Sequence, residues 1–333
     1  MELNNILNSG NELFSKVALT DYVVTQPYVP DLVSKWLPWH SEGTHLPNAA
    51  IDFTDGTLEM IPEAARGAPG DAPERDVDSS IIVRIPHYPQ QDTLYAVQFE
   101  GIRAAGSELL TSIENERNKI LANFNRRNRA MWENSRIGAI TGKLLNSKGE
   151  VSKNWYKELG VSQTKHQVDF ASANTKLRTE IIKAKDKGED NLGEFAADHW
   201  LLIAGSNAFP MITDHPNFEK IFERYNDGAM LRDDISGGFP ITSNVTAVKY
   251  TRPKIGSKVI FGADDMYLVP VVNGMFQTRF GPGTGMGALG VIGLPEYVSS
   301  YDLPHDEGVE LKAQTNIISW VQRLQAIVKI EAK

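Results

Sequence analysis

Cysteine is absent from the 333 residues of this chain. Disulfides, thiolate metal sites and cysteine nucleophiles are therefore excluded. Long apolar runs are absent too, since stretches such as Trp200–Ala204 are far shorter than the roughly 20 residues of a membrane helix. The first residues, Met1–Asn5, have neither the basic nor the apolar region of a signal peptide. These absences predict a chain that is neither exported nor inserted into a membrane.

Positive charge is in short supply, with 34 basic residues against 42 acidic ones and a formal net charge of −8. A protein with this balance is repelled by phosphate backbones, so a nucleic-acid reader is disfavoured unless a local basic patch overrides the total. The composition, 41% hydrophobic and 23% charged, is that of an ordinary globular chain. Its length suits one large domain or two modest ones.

The first 46 residues show little regular periodicity. Short apolar clusters are separated by Pro27, Pro30, Pro38 and Pro47, and proline pushes the residue before it toward extended backbone. The pattern predicts an extended arm that needs another surface to cover its aromatic residues. An arm that lies on its own domain is the alternative.

A long loop is predicted next. Residues 51–60 alternate apolar and polar side chains on both sides of Asp55-Gly56, which is a strong hairpin signal. Residues 62–80 are rich in proline, glycine and charge, and a strand returns at 81–85. Loops longer than about 15 residues are usually functional or disordered. Because two β strands frame this loop, a functional loop is favoured over a disordered one.

Residues 107–145 contain no proline, and their apolar side chains recur at helical spacing. This predicts a long amphipathic helix approaching roughly 50 Å. Its basic residues, which include Arg117, Arg126 and Arg127, form the best nucleic-acid candidate in the chain. Acidic residues are interleaved and no aromatic stacking ladder accompanies them, so a solvated or subunit-facing surface is favoured.

The second half begins after the polar stretch 183–194, which predicts a domain boundary. Beyond it, 195–206 and 215–225 are predicted as helices, and a glycine-rich connector spans 281–290. The remainder is β-rich, with strands predicted within residues 245–250, 258–261, 266–272 and 311–330.

No catalytic constellation emerges. Gly285–Gly290 has the letters of a dinucleotide fingerprint, but Val291–Pro295 cannot begin the helix that this site requires, so a flexible connector is favoured. The seven histidines show no pairing at metal-ligand spacing. Turn formation explains the acid pair Asp264-Asp265. The sequence therefore predicts no enzyme, no cofactor and no metal site.

Several segments in a particular order carry a resemblance to a known family: Phe53–Pro69, Arg84–Tyr88, Asp92–Leu94, Gly205–Phe209, Asp214–Pro216, Gly293–Tyr297 and Gln314–Asn316. In order and spacing they resemble the major capsid proteins of tailed bacteriophages, specifically the family of the lambda head protein. The resemblance implies a protein that self-assembles into the icosahedral head shell around a double-stranded DNA genome. In this family the empty shell forms first and expands when DNA is packaged.

The resemblance also implies a fold class, an α+β tailed-phage major capsid fold in four parts. Residues 1–46 would form the N-terminal arm and 47–98 the extended loop that overlaps a neighbour. Residues 99–194 would form a peripheral domain with a long spine helix, and 195–333 an axial domain. A return of the final strand toward the peripheral domain is left open.

Contacts with neighbouring copies are expected at charged side chains of the loop and the spine helix. Each exposed pair is worth only ~0–1 kcal/mol, but a subunit held by several partners at once is held firmly. The candidate inter-subunit contacts are Glu63, Arg66, Asp71, Glu74, Arg75, Arg84, Arg117, Arg126 and Arg127.

The partners implied are many copies of the chain in pentamers and hexamers, a portal, and packaged DNA by proximity only. A separate scaffolding protein is expected, because about 46 residues ahead of the loop leave no room for a built-in scaffolding domain. A decoration protein is a further partner that the resemblance allows. The expected location is the virion, after assembly in the host cytoplasm, with no membrane partner.

Some members of the fold join subunits covalently through a lysine of the loop. No lysine lies between Lys35 and Lys119, so that chemistry is excluded here. Two rival interpretations stay open: a cellular nanocompartment shell of the same fold around a cargo enzyme, and a two-domain hydrolase or dehydrogenase with an unrecognised site.

Overall fold

The structure, a computed structural model, describes residues 14–15, 19–20, 32–54, 78–99, 106–216, 218, 238–288 and 290–333. Its α-helices are α1 (Leu32–Trp36), α2 (Gly106–Thr141), α3 (Trp155–Glu158), α4 (Leu177–Glu189) and α5 (Ala208–Thr213). Its strands are β1 (Trp39–Gly43), β2 (Asn48–Thr54), β3 (Asp78–Arg84), β4 (His87–Tyr95), β5 (Lys143–Leu145), β6 (Val151–Asn154), β7 (Thr164–Val168), β8 (His199–Ala204), β9 (Phe239–Thr242), β10 (Val245–Lys249), β11 (Lys254–Ile255), β12 (Lys258–Val259), β13 (Met266–Val271), β14 (Phe276–Phe280), β15 (Tyr297–Asp302), β16 (Gly308–Val321) and β17 (Val328–Ala332).

The predicted long helix is confirmed as α2, which has 36 residues and so a length of about 54 Å. Ile113, Leu121 and Phe124 are buried along one side of it. From Trp132 to Ile140 every residue is buried, because α1 and β5 also pack against this end. No helix in the described ranges has both the length and the apolar character that a membrane crossing needs.

The first sheet is built around β16, a strand of 14 residues. β4 and β15 both pair with it in antiparallel fashion. β14 pairs with the last part of β16, and β1 lies parallel to β14 at the edge of the sheet. α2 packs on β16. The spine helix therefore lies against β16, a strand from the last thirty residues of the chain.

The second sheet has six strands in the order β7-β17-β13-β8-β10-β9. The prediction of a helix over 195–206 is wrong, because residues 199–204 form the central strand β8 of this sheet. Residues 200–204 are all buried, because neighbouring strands and packed helices enclose β8. A continuous apolar run of this length is typical of a strand buried on both faces, and periodicity alone does not separate it from a helix.

α4 extends into the polar stretch where the sequence predicts a boundary. Its core side is formed by Leu177, Ile181, Ala184 and Gly188, a spacing that continues the helix despite the charged residues between them. A Cβ added to Gly188 would lie 2.5 Å from the Trp200 ring, so glycine is needed for this close approach. The segment up to residue 189 is thus a packed helix, and both sheets draw strands from either side of residue 195.

β2 and β3 form an antiparallel ribbon with Asn48 opposite Arg84 and Thr54 opposite Asp78. The strands predicted on the two sides of the long loop are confirmed for these residues. The Asp55-Gly56 turn and the loop tip lie outside the described residues. Buried side chains such as Ile51 and Val83 join the ribbon to the main core.

Residues 32–43 of the predicted arm lie on their own chain, as the alternative interpretation expects. α1 packs on α2, and β1 extends the first sheet. The buried Glu133 carboxylate of α2 accepts a 2.8 Å hydrogen bond from the Tyr250 hydroxyl. The guanidinium of Arg136 lies 5.4 Å from the centre of the Trp39 ring. These contacts hold the arm helix, the spine helix and the second sheet together.

Candidate assembly surfaces

The ribbon has one face on the core and one face in solvent. Ile82 is 73% exposed, and Arg84, two residues on, is exposed on the same face. Their register partners Ala50 and Asn48 are exposed as well. The side chain of Arg84 makes no hydrogen bond or ion pair with any residue that the structure describes. Sequence reasoning selected Arg84 and missed Ile82, although its position between core-facing Ile81 and Val83 indicates an outward direction.

The helix arginines divide into two environments. Arg126 and Arg127 are exposed, and Arg126 donates a 3.0 Å hydrogen bond to Asn123 one turn earlier. Arg117 is half-buried and lies on the same side of α2 as Ile113 and Leu121, so it does not share the surface of the other two. The tip candidates Glu63, Arg66, Asp71, Glu74 and Arg75 lie outside the described residues.

Three segments that carry the resemblance meet on β16. Asn316 lies opposite His87 of β4, and Gln314 lies opposite Tyr297 of β15. The His87 and Asn316 side chains are joined by a 2.6 Å hydrogen bond. These segments are far apart in the chain but adjacent in the sheet on which the spine helix packs.

The side chains of 314–316 hold the glycine-rich connector and the turn after it. The Thr284 hydroxyl donates to Gln314 at 2.8 Å, and the Asn316 amide donates to the Pro282 carbonyl at 2.6 Å. The Thr315 hydroxyl donates to the Pro295 carbonyl at 2.8 Å. A connector predicted to be flexible is thus fixed at several points by one strand.

The chain just before the ribbon is fixed to the residues on both sides of the connector. The Thr44 N–H donates to the Phe280 carbonyl at 2.8 Å, and the Gly293 N–H donates to the Thr44 carbonyl at 3.0 Å. A Cβ on Gly43 would lie 2.1 Å from the Gly293 carbonyl oxygen. Only glycine allows the two backbones to approach this closely. The backbone at residues 43–44, just before the ribbon, is therefore held in place by two hydrogen bonds and a close packing contact.

Thr315→Val is expected to lower the free energy of unfolding by about 2 kcal/mol. Thr315 is fully buried, and its hydroxyl also accepts a 2.9 Å hydrogen bond from Trp132 Nε1. Valine keeps the volume but leaves that donor and the Pro295 carbonyl without this partner, and each unsatisfied buried group costs about 1–3 kcal/mol. Urea unfolding followed by tryptophan fluorescence measures the loss. Thr93→Val on the half-buried surface of β4 is the control, and equal midpoints for the two variants would contradict the assignment.

A buried carboxyl, Glu296, lies between the connector and α2. It is 4% exposed, and burial raises its pKa to about 7, although Asn128 and the positive charge of Arg129 on α2 oppose the shift. Pro295, held by Thr315, and Tyr297, paired in β15, fix the backbone on both sides of it. Sequence reasoning did not select Glu296, since a single glutamate in a loop carries no signal of burial.

Two motifs that were considered and set aside as chemical sites, Gly285–Gly290 and Asp264-Asp265, lie in a connector and a turn. After Gly285–Gly290 the backbone forms no helix through residue 296, so a pyrophosphate would find no helix N-terminus there. Asp265 accepts a hydrogen bond from the Gly262 N–H at 3.0 Å, as expected of a turn. Within the described ranges, no group of three or more His, Asp or Glu side chains is placed to hold a metal ion.

Two solved structures with a similar fold are described as capsid proteins. A capsid protein of a prophage of Escherichia coli CFT073 matches with a TM-score of 0.62 and 12% identity, over 96% of this chain and 99% of that one. The capsid of Myoviridae phage XM1 matches with a TM-score of 0.51 and 10% identity, over 93% and 94%. At these identities the likeness shows the fold, which is the tailed-phage major capsid fold of the α+β class.

Sequence comparison leads to the same group. The major capsid protein of Pseudomonas phage KPP10 is 23% identical over 83% of this chain and 84% of its own length. That of Salmonella phage Felix O1 is 20% identical over 98% of both. The family model described as phage major capsid protein E matches residues 15–332. The chain therefore belongs to the phage major capsid protein E family.

Proposed function

We propose that this protein is the major capsid protein that self-assembles into the icosahedral head shell of a tailed phage and encloses its double-stranded DNA genome. The family match over residues 15–332 carries the proposal. The role is structural, not enzymatic, and the protein's place is the virion, after assembly in the host cytoplasm and head maturation by expansion.

The strand pairing supports a division into working parts. Residues 1–46 act as the arm and 47–98 as the extended loop. The spine helix α2 with β14, β15 and β16 forms the peripheral body, to whose sheet the arm adds β1 and the loop segment adds β4. The six-stranded sheet with α4 and α5 forms the axial body. In this scheme the final strand β17 belongs to the axial body, between β7 and β13, and the peripheral and axial parts interleave along the chain.

The exposed face of the ribbon is the proposed contact with a neighbouring copy. Ile82 supplies apolar area, and Arg84 supplies a charge with no partner among the described residues of its own chain. An apolar side chain that is exposed in one subunit and covered in the shell gains about 25 cal/mol per Å² on burial. Arg126 and Arg127 form a second proposed contact, and the five charges of the loop tip a third.

The proposed partners are copies of the chain in pentamers and hexamers, a separate scaffolding protein, a portal, and a decoration protein on the expanded shell. Packaged DNA is a neighbour by proximity only. The net charge of −8 supports this last point, since a negative wall repels phosphate and does not retain it.

Electron microscopy of the expressed chain, alone and with its scaffolding partner, tests the function. Shells, tubes or rings of five and six subunits are the expected result, because a capsid subunit is stabilised by contacts on several sides. A subunit that stays monomeric under both conditions would contradict the proposal.

A further inference from the structure

Two short hairpins beyond the end of the spine helix carry a basic surface that none of the contacts proposed above uses. The first is β5–β6, which follows α2 directly, and the second is β11–β12. The two hairpins are in contact, because a Cβ added to Gly149 in the first would lie 3.3 Å from Lys258 Cδ in the second. The basic surface consists of Lys148, Arg252, Lys254, Lys258 and Val259.

The positive charge of this surface is not neutralised within the subunit. Its four basic residues are exposed and form no ion pair with any residue that the structure describes. No Asp or Glu lies between Asp234 and Asp264 in the sequence. The carboxylate of Glu150, in the first hairpin, accepts a 3.0 Å hydrogen bond from Asn146 of the same turn. In a chain with a net charge of −8, four such cations on adjacent hairpins indicate contact with an acidic partner.

An exposed apolar side chain belongs to the same surface. Val259 is 49% exposed and lies directly opposite Lys254 in the register of the hairpin. A protein partner can cover the valine and pair with the lysine, whereas a phosphate backbone offers charge and no apolar area. The combination therefore favours an acidic protein surface over a nucleic acid.

A complementary surface lies on the same chain, at the turn between β15 and β16. Asp306 and Glu307 are exposed, and Glu310 is partly exposed. None of these three forms an ion pair with a described residue. Tyr301 is 67% exposed and lies directly opposite Glu310. This acidic surface, which consists of Tyr301, Asp306, Glu307 and Glu310, repeats the combination of charge and apolar area with the opposite sign.

The two surfaces of one chain lie toward opposite ends of α2 and do not meet. β16 runs along α2 in the same direction, as two contacts show. The Trp132 ring donates to Thr315. Earlier on the helix, the Phe124 carbonyl accepts from Gln90, which lies opposite Ala313. The acidic turn precedes β16, and the basic hairpins follow α2. The strand before Thr315 and the helix after Trp132 together span roughly 35 Å.

We propose that the basic surface of one copy binds the acidic surface of the next copy in a head-to-tail contact. The lysines lie opposite the carboxylates of the neighbour, and Val259 packs against its Tyr301. A contact between two different surfaces of one chain leaves a surface free on each side, so it closes into a ring when the rotation allows. The inference rests on the proposed function and deepens it, since it names a contact within the pentamers and hexamers.

Charge reversal tests this contact. Lys254→Glu with Lys258→Glu makes both surfaces acidic, and Glu307→Lys with Glu310→Lys makes both basic. Each pair is expected to lower the assembled fraction about tenfold or more, because repulsion replaces attraction at every copy. All four substitutions in one chain restore opposite signs and are expected to return assembly to within about twofold of the natural chain. Asp306 is kept, because its backbone φ of 56° disfavours lysine.

The matched control is Lys176→Glu with Arg178→Glu, at two exposed positions at the start of α4. It changes the net charge by the same amount as the reversal of the basic surface and is expected to assemble normally. Light scattering after size-exclusion chromatography measures the assembled fraction, and urea midpoints close to that of the natural chain verify that each variant is folded.

Normal assembly of both reversed pairs would overturn the inference and leave the proposed function intact. A folded combined variant that assembles no better than the reversed pairs would overturn it as well. A gel shift of duplex DNA by the natural chain, abolished by Lys254→Glu with Lys258→Glu and not by the control, would assign the basic surface to nucleic acid instead. A natural chain that forms no assemblies, alone or with its scaffolding partner, would contradict the proposed function and this contact with it.

Discussion

Deleting residues 57–77 is expected to give a folded subunit that no longer forms shells. Thr54 lies opposite Asp78, so the deletion joins β2 to β3 through Asp55-Gly56, a favoured two-residue hairpin turn. The core side chains of the ribbon, such as Ile51 and Val83, are kept. Under the proposed assembly each subunit would lose its tip contacts with neighbouring copies, and we expect the assembled fraction to fall about tenfold or more.

Light scattering after size-exclusion chromatography measures the assembled fraction, and a urea midpoint close to that of the natural chain verifies the fold. In a second variant, a Gly/Ser segment of equal length replaces residues 57–77. This variant distinguishes the effect of the tip side chains from the effect of the loop length. It is expected to fail in assembly as well, since it lacks Glu63, Arg66 and their charged neighbours. Normal shells from the deletion variant would remove the loop from the assembly mechanism.

Glu296→Gln is expected to remove the contribution that Glu296 makes to the pH dependence of stability between about pH 4.5 and pH 7. Folding raises the pKa of this carboxyl from 4.5 to about 7, so the native state binds the proton more tightly than the unfolded chain. The contribution of Glu296 to stability is therefore greatest below pH 4.5, falls as the pH rises through this window, and is fully lost above pH 7. The loss amounts to about 3 kcal/mol, at 1.36 kcal/mol per pH unit.

Urea unfolding at a series of pH values provides the measurement. The glutamine variant gains stability relative to the natural chain at pH 8 and not at pH 4, because its amide is neutral at both. Glu307→Gln, at an exposed position after β15, is the matched control and keeps the natural slope. Parallel curves for the natural chain and Glu296→Gln would show that Glu296 does not cause the pH dependence.

Elements with local signals could be predicted from the sequence. The 3.6-residue spacing of apolar side chains from Ile113 to Phe124 predicts α2 because this part of the helix buries one side and leaves the other exposed. The strands on both sides of the loop were predicted from their alternation. The sequence predicts a helix for β8 because its burial removes the alternation, and its strand conformation is fixed by pairing with β10 and β13, which lie more than forty residues away.

The assembly surfaces were less accessible to sequence reasoning. β15 carries few apolar residues, and its pairing with β16 decides its conformation. The exposure of Ile82 and the burial of Glu296 depend equally on distant partners. Charge alone selected Arg117 together with Arg126 and Arg127, but the helical phase places Arg117 on the packed side. Which neighbour the loop meets depends on another molecule and is not encoded in any local pattern.

The buried end of α2 has a mechanical consequence. Between Trp132 and Ile140 every residue of the helix is buried, whereas the turns from Ser112 to Met131 pack on one side and are exposed to solvent on the other. The helix is therefore fixed at its C-terminal end and less constrained before Trp132. A force on the earlier part acts as a torque on the fixed end, where Glu133 bonds to Tyr250. A change in shell curvature would thus reach the six-stranded sheet as a rotation.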